Sequence, residues 1–387
     1  MSSPADPAPL PSNDTTSLRQ GYLSTNHKQI NILLLSEVGV GKTVLLDLIA
    51  NTLAARSSDA YTRYHDAANE GDPRGPTSCT RDARVYTFTS TNGVSVRILD
   101  TPGFGGGDGG AGDQDRLRQI VTRIHEQVPT IHAVFILIRG TLTRFTCRTD
   151  YSLSMITSML PRQYLDNIAL VYTSVASPFS WTFDVRSLPE ALSKARYFLL
   201  DNPLPLRARL LNQKARKDTP PRALDEEEEE MLRSREADAL KSLSIVFDWM
   251  NTLTPQAAKD LTSICRTAYA LHMNVLQVFS PSSSSPVPVA SHHSHEYPWA
   301  DHVPVQPDES TDFYLGEIAR LSKGYGKLSL CGAYKATLLR AVNLLEYDIA
   351  RGRQYGTLPE TLTASQSAVD RLKAQLDVLV RAEQIQK

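Results

Sequence analysis

The spacing of hydrophobic positions in the first half of the chain alternates between strand and helix patterns. A continuous apolar run at Gln29–Ser36 is typical of a strand buried on both faces of a parallel sheet. A glycine-containing turn follows, and then Lys42–Leu53, where apolar residues recur at helical spacing. A strand, a glycine turn and a helix are the opening unit of many α/β domains, so the pattern predicts that fold class.

Further elements are expected up to residue 205. Residues 84–90 and 94–99 flank a Thr-Asn-Gly turn and predict an antiparallel hairpin. Residues 103–112, GFGGGDGGAG, are too rich in glycine for regular structure and predict a mobile loop. The other expected elements are helix 114–127, strand 133–138, helix 151–159, strand 167–173, helix 188–194 and strand 195–200. This alternation predicts a doubly wound, mostly parallel sheet.

The second half of the chain changes to helical patterns and predicts a mainly α-helical C-terminal region. Basic and acidic stretches at 207–217 and 225–230 are solvated helix surfaces or a binding tail. Four apolar residues near the end recur at a/d spacing, which fits helix packing or self-association: Val369, Leu372, Leu376 and Leu379. The predicted parts are a disordered lead 1–27, the α/β domain 28–205, a helical extension 206–280, a disordered Pro/Ser-rich insert 281–310 and a helical region 311–387.

Composition excludes some classes of function. The 387 residues include 41 Lys and Arg against 42 Asp and Glu, so no overall charge favours nucleic acid, and no nucleic-acid partner is expected. Four scattered cysteines suggest reduced thiols rather than disulfides or a zinc site. No apolar run is long enough for an integral membrane segment, and the lead lacks a signal-peptide pattern. A cytoplasmic location is therefore expected.

The segment SEVGVGKT, from Ser36 to Thr43, carries the clearest chemistry. It fits the phosphate-binding P-loop G-x-x-x-x-G-K-[ST], with Ser36 in place of the first glycine. Backbone amides near a helix N-terminus attract anions, Lys42 would reach the β- and γ-phosphates, and the Thr43 hydroxyl would ligate Mg²⁺. The expected nucleotide contacts are Ser36, Glu37, Val38, Gly39, Val40, Gly41, Lys42, Thr43 and Val44.

A second motif, DTPGF, starts at Asp100 directly after the strand VSVRIL. An aspartate at that strand end, near the loop lysine, would support the Mg²⁺ shell, and the Gly103 amide would contact the γ-phosphate. Together the two motifs predict a P-loop NTPase fold that binds a nucleoside triphosphate with Mg²⁺.

The segments ILLLSEVGVGKTVLLDLIAN, SCTRDARVYTF and DTPGFGG resemble septin-related GTPases of the immunity-associated (AIG) type, and in particular fungal proteins with that G domain. The resemblance covers about half of the chain. It implies binding of GTP and GDP with Mg²⁺, and homodimerisation through the nucleotide face. It also implies a switch threonine that completes the Mg²⁺ and γ-phosphate contacts. Thr80 matches that threonine, with Thr77 as the alternative, and Lys42 and Thr80 are the expected catalytic residues.

The sequence departs from that family at the base-reading motif N/T-K-x-D. The corresponding strand runs into Thr173 and Ser174, with no Lys or Asp following. Asn202, in the sequence LLDNP, offers an amide to a purine edge or simply forms a turn. Phe104 occupies the position of the water-orienting glutamine of small GTPases, so hydrolysis should be slow. Arg81 is an internal arginine finger or an exposed loop residue.

These observations predict a GTP-binding switch or assembly module with slow hydrolysis and an unknown protein partner. The alternatives are a pseudo-GTPase scaffold with degenerate base recognition and an ATP-binding P-loop protein. Three histidines in the Pro/Ser-rich insert, His292, His293 and His295, form a transition-metal site or a solvated loop.

Overall fold

The fold is organised around a six-stranded, mostly parallel sheet. In the computed structural model its strands are β1 (Gln29–Ser36), β2 (Arg84–Thr89), β3 (Ser95–Asp100), β5 (Ala133–Arg139), β6 (Ile168–Thr173) and β7 (Arg196–Leu200), with β4 (Thr130–Ile131) lying outside it. The strand order is β2-β3-β1-β5-β6-β7, and β2 is antiparallel to β3 whereas the other neighbours are parallel. This topology confirms the predicted fold class and the predicted hairpin.

The structure describes residues 13–57, 60–71, 80–106, 109–175, 177–203, 206–207, 210–211, 224–279, 311–355 and 359–385. Several sequence predictions therefore lie outside the described residues. They are the disorder of the first twelve residues and of the insert 281–310, the alternative switch residue Thr77, and the three histidines of the insert.

Helices cover both faces of the sheet. They are α1 (Thr15–Arg19), α2 (Lys42–Leu53), α3 (Gly109–Gln127), α4 (Cys147–Met159), α5 (Glu226–Asn251), α6 (Ala258–Phe279), α7 (Thr311–Leu328), α8 (Tyr334–Tyr355) and α9 (Pro359–Ile385). One apolar core joins α1, α2 and α5 to one face of the sheet, and another joins α3, α4, α6 and α8 to the opposite face. No helix in the described ranges has both the length and the apolar character needed to cross a membrane.

Helix α5 completes the α/β core although it follows residue 205. Its N-terminus is a capping box, in which Asp225 and Glu228 exchange side chain to backbone hydrogen bonds. Further along, Phe247 and Met250 are buried in the same apolar core as Ile32 of β1. The strand β8 (Gln256–Ala257), which follows α5, pairs with β4. The sheet therefore depends on residues that we had assigned to the helical extension.

The a/d residues of α9 pack within the chain. Val369 and Leu379 are almost fully buried, and Leu372 and Leu376 pack against the same apolar clusters. Of the two roles expected for the a/d pattern, helix packing and self-association, these contacts show helix packing.

Three sequence predictions need correction. The disorder expected over residues 1–27 is wrong for residues 13–27, because Leu18 and Leu23 are fully buried and the Asn13 amide donates to Asp248 of α5 at 2.6 Å. The glycine-rich loop is shorter than expected, because α3 begins at Gly109. The helix expected at 188–194 is replaced by short 3₁₀ turns, of which the second begins after Pro189.

Helix α3 begins early because tertiary contacts stabilise its first turns. The Asp113 carboxylate accepts a hydrogen bond from the Gly105 amide at 3.0 Å and pairs with Arg116. Both charged side chains are nearly buried. Tertiary contacts of this kind routinely override the low helix propensity of glycine.

His132, between β4 and β5, is a buried group that contributes a pH dependence to the stability of the fold. Its Nδ1 accepts a hydrogen bond from the Asn31 backbone amide at 3.1 Å, which requires the neutral ring. Burial, with a smaller contribution from His27, lowers the pKa of His132 to about 4. Protons therefore favour the unfolded chain, where a histidine titrates near 6.5.

We expect the free energy of unfolding to fall by about 3 kcal/mol through His132 as the pH falls from the unfolded pKa to the folded pKa. The contribution of neutral His132 to the free energy of unfolding is fully present above the pKa that this histidine has in the unfolded chain. His132→Gln should remove that part of the pH dependence, whereas the exposed control His125→Gln should keep it. Denaturant unfolding at several pH values measures both. The same pH dependence in the two variants would contradict the assignment.

Candidate nucleotide-binding site

The loop between β1 and α2 has the backbone geometry of a phosphate-binding loop. Gly39 and Gly41 have φ values of 76° and 105°, a region that side chains with a Cβ rarely adopt. Gly41 is also the N-cap of α2, so the free amides of the first helical turn point towards the loop. These amides and the helix dipole make the loop a suitable anion site.

Ser36 replaces the expected first glycine and has a definite contact. Its fully buried hydroxyl accepts a hydrogen bond from Lys42 Nζ at 2.8 Å and donates to the Glu37 carbonyl at 2.6 Å. Lys42 itself is 6% exposed. The serine therefore orients the buried ammonium group within the loop, which a glycine could not do.

The oxygen atoms of three predicted Mg²⁺ ligands lie together. Thr43 Oγ1 donates to Asp100 Oδ2 at 2.8 Å and lies 3.2 Å from Thr80 Oγ1. Asp100 is 1% exposed, and its Oδ1 has no hydrogen-bond partner among the described residues. Burial raises the pKa of Asp100, and the charge of Lys42 opposes that rise. Hard oxygen donors with an unsatisfied carboxylate oxygen fit Mg²⁺ well.

The segment after Asp100 is bonded to the phosphate loop through its backbone. The Phe104 amide donates to the Ser36 carbonyl, and the Val38 amide donates to the Phe104 carbonyl, both at 3.0 Å. A Cβ on Gly103 would lie 2.7 Å from Val38 Cα. The Phe104 side chain is fully buried in the apolar core, which explains an apolar residue at this position.

The N-terminus of α4 contacts the same loop from the other side. Thr149 Oγ1 donates to Glu37 Oε2 at 2.9 Å, and burial raises the pKa of Glu37. Arg148 Nη1 donates to the Gly105 carbonyl at 2.7 Å. Sequence reasoning named Glu37 only as a loop position. The contact from α4 was missed because it joins segments 112 positions apart.

A cavity of about 440 Å³ opens beside the loop, at the carboxyl ends of β6 and β7. The side chains of two predicted base contacts that line this cavity donate hydrogen bonds to backbone carbonyls of the loop and of α2. Thr173 Oγ1 donates to the Val40 carbonyl at 2.9 Å, and Asn202 Nδ2 donates to the Val44 carbonyl at 2.8 Å. Ser174 lines the same cavity with a left-handed φ of 62°.

Asp201 and Arg235 also line this cavity, and sequence reasoning did not select either of them. They form an ion pair, with Arg235 Nη1 2.5 Å from Asp201 Oδ2. Asp201 directly precedes Asn202 in LLDNP, so its position at a strand end was a signal that could have been used. Arg235 could not be found in this way, because it comes from α5 in the following region.

The hypothesis of an internal arginine finger has less support in the described residues. The Arg81 side chain is exposed, as expected for a loop arginine, and its backbone amide donates to the Asn69 carbonyl at 2.9 Å. Among the described residues, no group of three His, Cys, Asp or Glu side chains is arranged to bind a metal ion. The candidate Mg²⁺ site above differs because two of its oxygen atoms come from threonines.

No protein-family model and no curated protein sequence matches the chain. Some solved GTPase structures resemble it. Toc33 from Arabidopsis thaliana in complex with Mg²⁺ and GMPPNP is 14% identical over 60% of this chain and 89% of that chain, with a TM-score of 0.36. Toc33 with GDP and Mg²⁺ is 15% identical, with the same coverage and a TM-score of 0.37.

A bacterial dynamin GTPase from ETEC, LeoA, is 10% identical over 84% of this chain and 61% of that chain, with a TM-score of 0.27. Similarity at this level assigns neither a family nor a ligand to the chain. The functional argument therefore depends on the site itself.

The close approach at Gly103 gives a direct test of the loop geometry. Gly103→Ala would force a methyl group against the Val38 backbone, and we expect it to lower the free energy of unfolding by about 1–3 kcal/mol. Gly324→Ala in α7 is the matched control, because among the described residues no atom outside its own helical backbone and chain neighbours lies within 4 Å of its added Cβ. The control should be neutral or stabilising by up to about 1 kcal/mol. Thermal unfolding of both variants measures the difference, and equal stability would contradict the tight contact.

Proposed function

We propose that the chain is a Mg²⁺-dependent GTP-binding protein that acts as a switch or assembly module. One observation supports this proposal most strongly: a buried lysine, two threonine hydroxyls and a buried carboxylate with an unsatisfied oxygen meet at one glycine loop. In this arrangement Lys42 would contact the phosphates. Thr43, Thr80 and Asp100 would support Mg²⁺, and the bound ion would neutralise phosphate charge.

Hydrolysis is expected to be slow. Phe104 directs its side chain into the core, so it cannot orient water, and Glu37 is already bonded to Thr149. A pseudo-GTPase scaffold remains the alternative from another class, because Thr173 and Ser174 provide no carboxylate for a guanine base. An ATP-binding protein built on the same loop is the third possibility for the site.

Helix α4 supports the switch part of the proposal because it connects the loop to the C-terminal helices. Its residue Asp150 accepts a bifurcated hydrogen bond from the single Nε–H of Arg340 of α8, with Nε 3.1 Å from each carboxylate oxygen. Arg148 donates to the Gly105 carbonyl, and its Nη2 lies 3.6 Å from Asp348 Oδ1 of α8. A shift of Gly105 or of the loop on nucleotide binding would therefore act on α8 through α4.

The finer type of GTPase is also a proposal. The resemblance to septin-related proteins of the AIG type, including fungal ones, depends on the motifs at Ser36, Thr80 and Asp100. We include in the same proposal homodimerisation through the nucleotide face and an unidentified protein partner of the helical region. Sedimentation in the presence of each nucleotide would test the dimer, and a monomer in every state would contradict it.

Titration with labelled GTP and ATP, with and without Mg²⁺, tests nucleotide binding. We expect tight, Mg²⁺-dependent binding of GTP, and a loss of at least about 100-fold in affinity for Lys42→Ala, because a buried charge-assisted contact to phosphate is removed. Lys335→Ala is the control, since this lysine pairs with Glu383 on the surface of the C-terminal helices. Binding of neither nucleotide would favour the scaffold, and equal binding of both would show that the base is not recognised.

The connection through α4 has its own test. Arg340→Ala removes the bifurcated hydrogen bond to Asp150, so a GTP analogue with Mg²⁺ should protect the amides of α8 from hydrogen exchange less than in the wild type. Nucleotide affinity should change only a few-fold, because Arg340 lies outside the loop. Lys373→Ala, which removes an exposed pair with Glu346 of α8, is the matched control. Equal protection of α8 in all three proteins would contradict the connection.

A further inference from the structure

The cavity beside the phosphate loop contains a carboxylate at a position that the family motif does not use. A nucleotide whose phosphates lie on residues 36–43 would extend its base along the carboxyl ends of the parallel strands, where this cavity lies. The expected position for a base-reading aspartate follows β6, and there the chain has Thr173 and Ser174. Asp201 instead follows β7, the neighbouring strand.

We propose that Asp201 is the residue that selects guanine, and that Arg235 is a positioning residue that orients its carboxylate. This inference rests on the proposed function as a nucleotide-binding protein. The Asp201 side chain is 17% exposed, and both residues line the cavity together with Val40 and Val44, the first of which belongs to the phosphate loop. Arg235 Nη1, on helix α5, donates to Asp201 Oδ2.

The chemistry of the two purines explains the selection. Guanine presents two donors on one edge, N1–H and the exocyclic N2–H, and a carboxylate accepts both. Adenine has an unprotonated N1 there and no amino group at C2, so its lone pair would face the carboxylate charge. A site built around a buried acceptor rejects a ligand that leaves the acceptor unpaired.

Three neighbouring polar side chains of the cavity already have structural contacts. Asn202 Nδ2 donates to the Val44 carbonyl and Thr173 Oγ1 to the Val40 carbonyl. Arg139 Nη2 donates to the Gly39 carbonyl at 2.9 Å. Their donors fix the backbone of the loop and of α2, and Asp201 provides the acceptor that reads the donor edge of guanine.

Arg235 has a defined part in this arrangement. Its guanidinium compensates the charge of a largely buried carboxylate and holds the side chain at the rim of the cavity. Because Arg235 is on α5, the base site depends on a helix beyond the predicted α/β domain. Loss of Arg235 should weaken GTP binding without changing which base is preferred.

The test is a change of base preference in the full chain. Xanthine keeps N1–H but has a carbonyl at C2, which a carboxylate repels and a carboxamide can contact by donating its N–H. Labelled GTP and XTP are titrated against wild type, Asp201→Asn and Arg235→Gln in the presence of Mg²⁺. We expect Asp201→Asn to lose at least about 100-fold in GTP affinity and to gain at least about 10-fold in XTP affinity. Arg235→Gln should lose GTP affinity and gain none for XTP.

Asp238→Asn is the matched control, an exposed carboxylate on α5 that should leave both affinities unchanged. A purely structural role of Asp201 would lower the affinities for GTP and XTP alike. Only a base-reading role would lower the affinity for GTP and raise that for XTP. Wild-type protein gives a second measurement that requires no variant. ITP, which lacks the C2 amino group, should bind at least about 10-fold more weakly than GTP.

The outcomes distinguish the inference from the proposed function. If the wild type binds GTP tightly and Asp201→Asn retains that affinity without gaining XTP, the base-reading role of Asp201 is overturned and nucleotide binding stands. Equal affinity of the wild type for GTP and ITP would also overturn it. If the wild type binds none of these nucleotides, the proposed function itself fails.

Discussion

Parallel pairing of β1 with β3 and β5 is the constraint on which the site depends. The register places Leu33 opposite Leu99, so the chain leaves β1 and β3 at the same edge of the sheet. Thr101 Oγ1 then donates to the Leu34 carbonyl at 2.6 Å, and two backbone hydrogen bonds join Phe104 to the loop. These contacts hold the segment after β3 against the loop after β1, and Asp100 then lies within hydrogen-bond distance of Thr43.

The parts of the site that could be predicted are those encoded locally. The glycine loop, its lysine and threonine, and the aspartate at the end of β3 are each defined by a short segment next to a clear strand or helix pattern. Parallel strands bring their carboxyl ends together, so the meeting of Thr43 and Asp100 follows from the pattern as well. Thr80 was one of two candidate switch threonines, and its hydroxyl lies 3.2 Å from that of Thr43.

The parts that could not be predicted depend on distant packing. No local pattern shows that residues 13–27 are ordered by α5, or that α5 belongs to the α/β core. Glycine propensity alone gave too long a loop, because it could not include the burial of Asp113, whose carboxylate accepts a hydrogen bond from the Gly105 amide outside α3. Arg235 could not be predicted for the same reason, since its partner Asp201 is 34 positions away.

The charges at the site are consistent with both of its proposed ligands. The net charge of the chain is −1, but the site concentrates Lys42, Glu37 and Asp100 in a small buried volume. Burial raises the pKa of both carboxyl groups, and the charge of Lys42 opposes that rise in each. A cation beside Asp100 would add positive charge, and phosphates on the loop amides would balance Lys42. Glu37 is bonded to α4 and α4 is bonded to α8, and these are the contacts through which the proposed switch would connect the loop to the C-terminal helices.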